Sequence, residues 1–263
     1  MIGIDELERE EYRLYARLPI FKKRLQEAKE NILEALQIPG IWVLSFSGGK
    51  DSTVMLDLCI QAGWRGPLLY QTYGQLETLP DNLKMVNWAR DYYGLEVLIK
   101  DAPGEFEVYR NVGHFFINAI TPEEKRAVRR WYRNSFGELD KFVIKQGWTG
   151  QFLGLRIEES NQRKKVLGHR GGLYFASSRK TWTCCPIYRW NGKDIWAYLV
   201  TQELPWATLY DAPGQNRERL RNDIVFLAGS GSIRYGQFTF WKKFYPELFN
   251  QLASEWPEIR NYI

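Results

Sequence analysis

The chain has 263 residues, 36 Lys plus Arg against 31 Asp plus Glu, a formal charge of +5, and 44% hydrophobic and 25% charged residues. That length fits one large or two small domains and that composition fits a packed core, which excludes a miniprotein and a largely disordered chain. Asp5, Glu6, Glu8, Glu10 and Glu11 stand where a secretory signal needs a basic start and an apolar run. No stretch approaches the ~18 uncharged apolar residues of a membrane span. Cys59, Cys184 and Cys185 are too few for a disulfide scaffold, so a cytoplasmic protein with no membrane association is expected.

In chain order, apolar residues at helical spacing predict helices over 4–18 and 19–37, the second ended by Pro39-Gly40. The short apolar run 41–46 predicts a buried strand, followed by a helix from about 52 to 62. Strands at 68–70, 95–99 and 151–155 alternate with a helix over 81–93 and a long helix over 121–146, with Thr121 as its N-cap. Further helices are expected over 191–202 and within 233–254. Alternation of this kind means a parallel sheet covered by helices on both faces. The expected organisation is a helical segment at 1–38, a nucleotide-binding α/β domain at 39–211 and a helical extension at 212–263.

The most informative stretch is Ser45-Phe46-Ser47-Gly48-Gly49-Lys50-Asp51-Ser52-Thr53, placed where an apolar strand gives way to a helix. Ligands of open α/β sheets bind at such strand ends. Two glycines let backbone N–H groups close on phosphate oxygens, Lys50 and the helix dipole supply positive potential, and the hydroxyls supply donors. It is not a Walker A loop, because Leu44 and Asp51 stand where Gly and Ser or Thr are needed. Asp51 has two readings, a magnesium ligand or a helix N-terminal stabiliser.

The order Ser-Gly-Gly-Lys-Asp-Ser resembles the pyrophosphate loop of the N-type ATP pyrophosphatases, which split ATP between its α and β phosphates. Gly154-Leu-Arg-Ile-Glu-Glu-Ser160, followed by Asn161, Gln162 and Arg163, resembles a signature of the phosphoadenosine phosphosulfate reductase family. Cys185-Pro-Ile-Tyr-Arg-Trp-Asn-Gly-Lys-Asp-Ile-Trp-Ala-Tyr198 and the turn from Pro205 to Tyr210 look like that family's next segments. The resemblance implies a Rossmann-like, adenine nucleotide alpha hydrolase-like sheet sandwiched by helices. It implies that Ser45 to Thr53 hold the phosphates of ATP, that Arg156 faces the group being transferred and that Glu159 braces Arg156. Thr72, Gly154 and Arg163 complete the implied nucleotide-binding set, with Lys50, Arg156 and Asp51 as the catalytic one.

Two departures shape the functional expectation. Gln71 replaces the acid that relatives often carry at that strand end, and no Cys follows residue 185, where the family's reductases place their nucleophilic thiol. One Cys-Cys pair cannot complete a four-thiolate iron–sulfur cluster, so none is expected. The implied chemistry is therefore adenylyl transfer from Mg-ATP with release of pyrophosphate. The acceptor is unknown, with sulfate and a nucleic-acid group both open. Alternatives are a sulfonucleotide reductase using a partner's thiol, a nucleic-acid thiolation ATPase, and a non-catalytic nucleotide sensor.

Three basic clusters stand outside the motifs: Lys125, Arg126, Arg129, Arg130 and Arg133; Arg163, Lys164, Lys165, His169 and Arg170; and Arg217, Arg219 and Arg221. Each reads as a solvated face or as a track for a nucleic-acid backbone. Trp241, Phe244, Tyr245, Phe249 and Trp256 read either as a helix packing face or as a surface for a partner subunit or a second copy of the chain.

Overall fold

The computed structural model describes residues 4–73, 78–116, 118–177, 179–212, 216–220 and 231–263, with only the backbone described at 136 and 231–237. Arg221 of the third basic cluster lies outside the described residues. Among the described residues six strands form one sheet: β1 (Trp42–Ser45), β2 (Leu68–Thr72), β3 (Val97–Asp101), β4 (Gly150–Phe152), β5 (Leu173–Ala176) and β6 (Thr181–Cys184). Their order is β3-β2-β1-β4-β6-β5. β1 runs parallel to β2 and β4, and β4 parallel to β6. The expectation of a wholly parallel sheet is corrected at one edge, where β5 pairs antiparallel with β6. A short connection joins them, too short for the crossover that a parallel pair needs.

Ten α-helices accompany the sheet among the described residues: α1 (Glu6–Ala16), α2 (Pro19–Leu36), α3 (Lys50–Gln61), α4 (Pro80–Tyr93), α5 (Phe106–Val112), α6 (Pro122–Lys145), α7 (Asn161–Arg170), α8 (Gly192–Thr201), α9 (Gly231–Phe244) and α10 (Pro246–Glu255). Helices α5 and α7 and strands β5 and β6 have no counterpart in the sequence reading. This is a Rossmann-like α/β fold with helical termini. None of its described helices is long and apolar enough to cross a membrane.

The chain forms two compact units. The first comprises Met1–Gln71, Pro80–Ile99 and Phe142–Asn222; the second comprises Thr72–Leu79, Lys100–Lys141 and Asp223–Ile263. In the first, α3 is the central helix, with Val54, Met55, Leu56, Leu58 and Cys59 all fully buried. Asp57 on that helix accepts from the hydroxyls of Tyr198 at 2.7 Å and Tyr93 at 2.9 Å, so its buried carboxylate ties α8 and α4 to α3. Asp194, fully buried, closes the α8 capping box with Asn191 and accepts from Arg24 at 2.6 Å and Tyr15 at 3.0 Å, which fixes α1 and α2 against α8. In the second unit the core is aromatic: Tyr109 packs against Phe106, Phe115, Phe116 and Trp256, and Phe238 against Phe115, Trp241 and Tyr262. Trp241 and Phe249 are buried, so these members of the C-terminal aromatic set serve packing.

Candidate functional site

β1 ends at Ser45 and α3 begins at Lys50, so the connecting loop lies at the carboxyl end of β1. There the chain order changes direction, with β2 on one side and β4 on the other, which is where sheets of this kind open a crevice. Phe46 prolongs the ladder by donating its N–H to Leu69 O at 2.9 Å, and its side chain is buried. Gly48 has φ +75°, and a Cβ there would stand 2.7 Å from Asn82 O, so conformation and space both require glycine. Gly49 caps α3: its carbonyl accepts from Thr53 N at 3.0 Å, Ser52 Oγ at 2.9 Å and Thr53 Oγ1 at 3.1 Å. The Ser52 and Thr53 hydroxyls are thus spent on the helix start. Ser47 Oγ lies 3.3 Å from Ser52 Oγ and accepts from Gly49 N at 3.4 Å, while Ser45 Oγ accepts from the buried Gln151 at 2.5 Å. What the first turn of α3 offers an anion is chiefly its backbone amides and dipole.

Charge is dense beside that turn. Lys50 is 2% exposed; its Nζ donates to Leu220 O at 2.7 Å and stands 3.4 Å from Asp51 Oδ2 and 5.2 Å from the centre of the Tyr210 ring. Burial pushes the Lys50 pKa down, opposed by the carboxylate of Asp51. The Tyr210 hydroxyl accepts from Lys50 N at 3.3 Å.

Arg156, 3% exposed, places Nε 2.7 Å from Asp51 Oδ1, an ion-pair contact off hydrogen-bond alignment. Its Nη1 donates to Glu158 Oε2 at 3.0 Å, and its Nη2 is 4.0 Å from Glu159 Oε1. The carboxylate of Glu159 is held more closely by Arg163, and it also accepts from Arg156 N at 3.3 Å. Gly154 lets this strand end approach the helix: a Cβ there would lie 3.3 Å from Asp51 C and Ser52 N. The loop and the Gly154–Ser160 motif, more than a hundred residues apart in sequence, therefore meet at Asp51.

Sequence reasoning missed Glu158, Tyr210 and Leu220. Glu158 has a signal, since it neighbours Glu159 in the motif; it also accepts from Gly192 N at 2.9 Å and so anchors Arg156 to α8. Leu220 acts through its carbonyl, which no side-chain pattern announces. Thr72 closes β2 and belongs to the second compact unit, where its carbonyl accepts from Ala102 N at 2.9 Å and its hydroxyl lies 3.0 Å from that of Thr78. Cys59, Cys184 and Cys185 are buried free thiols. Burial raises all three, Cys185 to about 12. Among the described residues, no group of three or more His, Cys, Asp or Glu gathers as metal ligands.

The model of the phosphoadenosine phosphosulfate reductase domain matches residues 41–215. An uncharacterised protein of Methanocaldococcus jannaschii is 27% identical over 188 residues, which cover 69% of this chain and 35% of that protein. The adenosine 5'-phosphosulfate reductase of Geobacillus kaustophilus is 32% identical over 101 residues, 35% of this chain and 41% of the reductase. The chain thus spans well under half the length of these curated relatives. The phosphoadenylyl-sulfate reductase of Candida auris, solved as a phosphate complex, shares the fold at 15% identity and a TM-score of 0.51, over 80% of this chain and 93% of that one. The matching region takes in more than half of the chain, the loop and the Gly154–Ser160 motif included, and so the chain belongs to the phosphoadenosine phosphosulfate reductase domain family.

Proposed function

We propose that the chain binds ATP with its phosphates against the loop from Ser45 to Thr53 and cleaves it between the α and β phosphates. An acceptor oxygen attacks the α-phosphorus, the bond to the bridging oxygen breaks, and pyrophosphate leaves with the electron pair. The observation that carries this reading is the meeting of Arg156 with Asp51 at the first turn of α3, which gathers two cations and a set of amides at one strand end. Lys50 and the α3 amides would hold the departing pyrophosphate, and Arg156 the charge growing at the α-phosphate. Arg163 and Glu159 would position Arg156.

The carboxylates of Asp51 and Glu158 lie against Arg156 where anionic oxygens of a ligand would lie, so binding exchanges one set of anions for another. Asp51 does not fit a resident magnesium ion well, because both its oxygens face cations. A metal arriving with ATP brings its own phosphate ligands and would supply charge neutralisation.

The test is single-turnover incubation with α-labelled ATP and candidate acceptor classes. AMP-containing product and pyrophosphate are expected from the wild type and not from Lys50→Met. ATP bound tightly with no AMP from any acceptor would replace this reading with a nucleotide sensor. A second reading, a sulfonucleotide substrate reduced by a partner's thiol, is favoured by the similarity to the Geobacillus reductase. The burial of all three cysteines then requires the thiol to come from elsewhere.

A further inference from the structure

We propose that the outer face of α6 is a docking surface for the phosphate backbone of a nucleic acid. Arg126, Arg129, Arg130 and Arg133 recur at i, i+3, i+4 and i+7, which sets four guanidiniums on one stripe. All four are exposed, and the open space between their side chains, about 360 Å³, is lined by these arginines alone. The opposite face is fixed inward by Trp131 and Ser135, which are buried and both donate to Pro103 O, at 2.9 Å and 3.1 Å.

No carboxylate pairs with any of the four arginines among the described residues; the one polar contact, Arg129 Nε to Lys125 O at 3.1 Å, uses a backbone acceptor. Glu138 on the same helix is engaged instead by Lys141 at 2.7 Å. Like charges at i, i+3 and i, i+4 oppose helix formation. The stripe contains several such pairs, and among the described residues only Glu123, three residues before Arg126, brings an opposite charge near it, so a polyanion seated on this face would relieve the repulsion.

The shape of the charge selects the partner. Seven residues of helix rise ~10 Å, which matches about three phosphates of one duplex strand. Arginine forks suit phosphate oxygens. A membrane surface would need a continuous apolar flank beside the charges; Ile120, just before α6, is exposed, but no large hydrophobic residue is exposed along the helix between Pro122 and Asn134. This inference stands on α6 alone and does not depend on the reading of the nucleotide loop.

The test is fluorescence anisotropy with a labelled mixed-sequence DNA duplex across a salt series, using the full chain. Three to four phosphate contacts predict that log affinity falls against log salt with a slope of roughly −3 to −4. Arg129→Gln/Arg130→Gln should make that slope shallower by about 2. Lys22→Gln/Lys23→Gln, which removes the same charge from exposed positions on α2, should leave it unchanged, with circular dichroism confirming that both variants fold. Equal changes in the two variants, absence of salt-dependent binding by the wild type, or equal competition by polyglutamate or anionic vesicles would each overturn the proposal.

Discussion

Gly48 and Lys50 show how much of the candidate site a sequence can carry. A glycine pair between an apolar strand and a helix announces an anion cradle, and the backbone has the expected form, with φ +75° at Gly48 and Asn82 O beneath it. Gly48→Ala should cost ~1–2 kcal/mol from the left-handed backbone alone. It should weaken ATP binding about tenfold or more, readable by calorimetry alongside thermal unfolding. What the sequence could not carry is the partner each group has chosen. Serine and threonine hydroxyls suited to phosphate turn back to Gly49 O, and the lysine ends on a backbone carbonyl from residue 220. The cysteines separate more cleanly, since Cys184 and Cys185 are fully buried at the end of β6. With the Cys185 thiol raised to about 12, thiolate is scarce at neutral pH. The native protein should therefore react with none of its three thiols in a colorimetric titration, and with all three once guanidinium unfolds it.

At the scale of elements, legibility followed burial contrast. Strand β1 and helix α3 are apolar and deeply buried, and both were visible. Helix α7 was not, because NQRKKVLGHR buries only Leu167. It is held instead by the Ser160 cap, whose side chain accepts from Arg163 N at 3.1 Å, and by the pairing of Arg163 with Glu159. Strand β6 carries two threonines and so shows no apolar run, whereas β5, Leu173-Tyr174-Phe175-Ala176, is a short apolar run that went unread because it is a half-exposed edge only four residues long. The start of α6 was legible from Thr121 and Glu124: Thr121 Oγ1 accepts from Glu124 N at 3.2 Å, and Glu124 Oε2 accepts from Thr121 N at 2.8 Å and Ile120 N at 2.6 Å. Burial works to raise the Glu124 carboxyl, but the bonds from His114 and these amides overcome it and hold it at about 2. A carboxyl depressed in this way stabilises the fold fully above its unfolded value of 4.5, and that contribution fades as pH falls toward 2. Glu124→Gln should therefore be less stable than wild type at pH 7, with the difference shrinking between pH 4.5 and 2 in urea titrations.

Across the whole molecule, the motifs that define the family lie on segments far apart in sequence, and the sheet order brings two of them together. With β4 next to β1, the strand leading into Gly154 and Arg156 runs beside the strand leading into the loop. Periodicity reveals strands but not their order, and the family resemblance implied only that Arg156 and Asp51 serve one nucleotide, so their contact was not legible until the fold placed it. The modest net charge of +5 likewise conceals the local concentration of arginine on α6. The central claim is that one phosphate-bearing adenine nucleotide binds where these two segments meet. Its most direct test is calorimetric titration of the full chain with Mg-ATP, set beside Lys50→Met and Arg156→Met variants shown to fold by circular dichroism. The account predicts one site per chain in the wild type, with affinity reduced about a hundredfold or more in each variant, as expected when a charge-assisted phosphate contact worth ~3 kcal/mol is removed. Equal affinity in all three proteins would place the nucleotide elsewhere and contradict it.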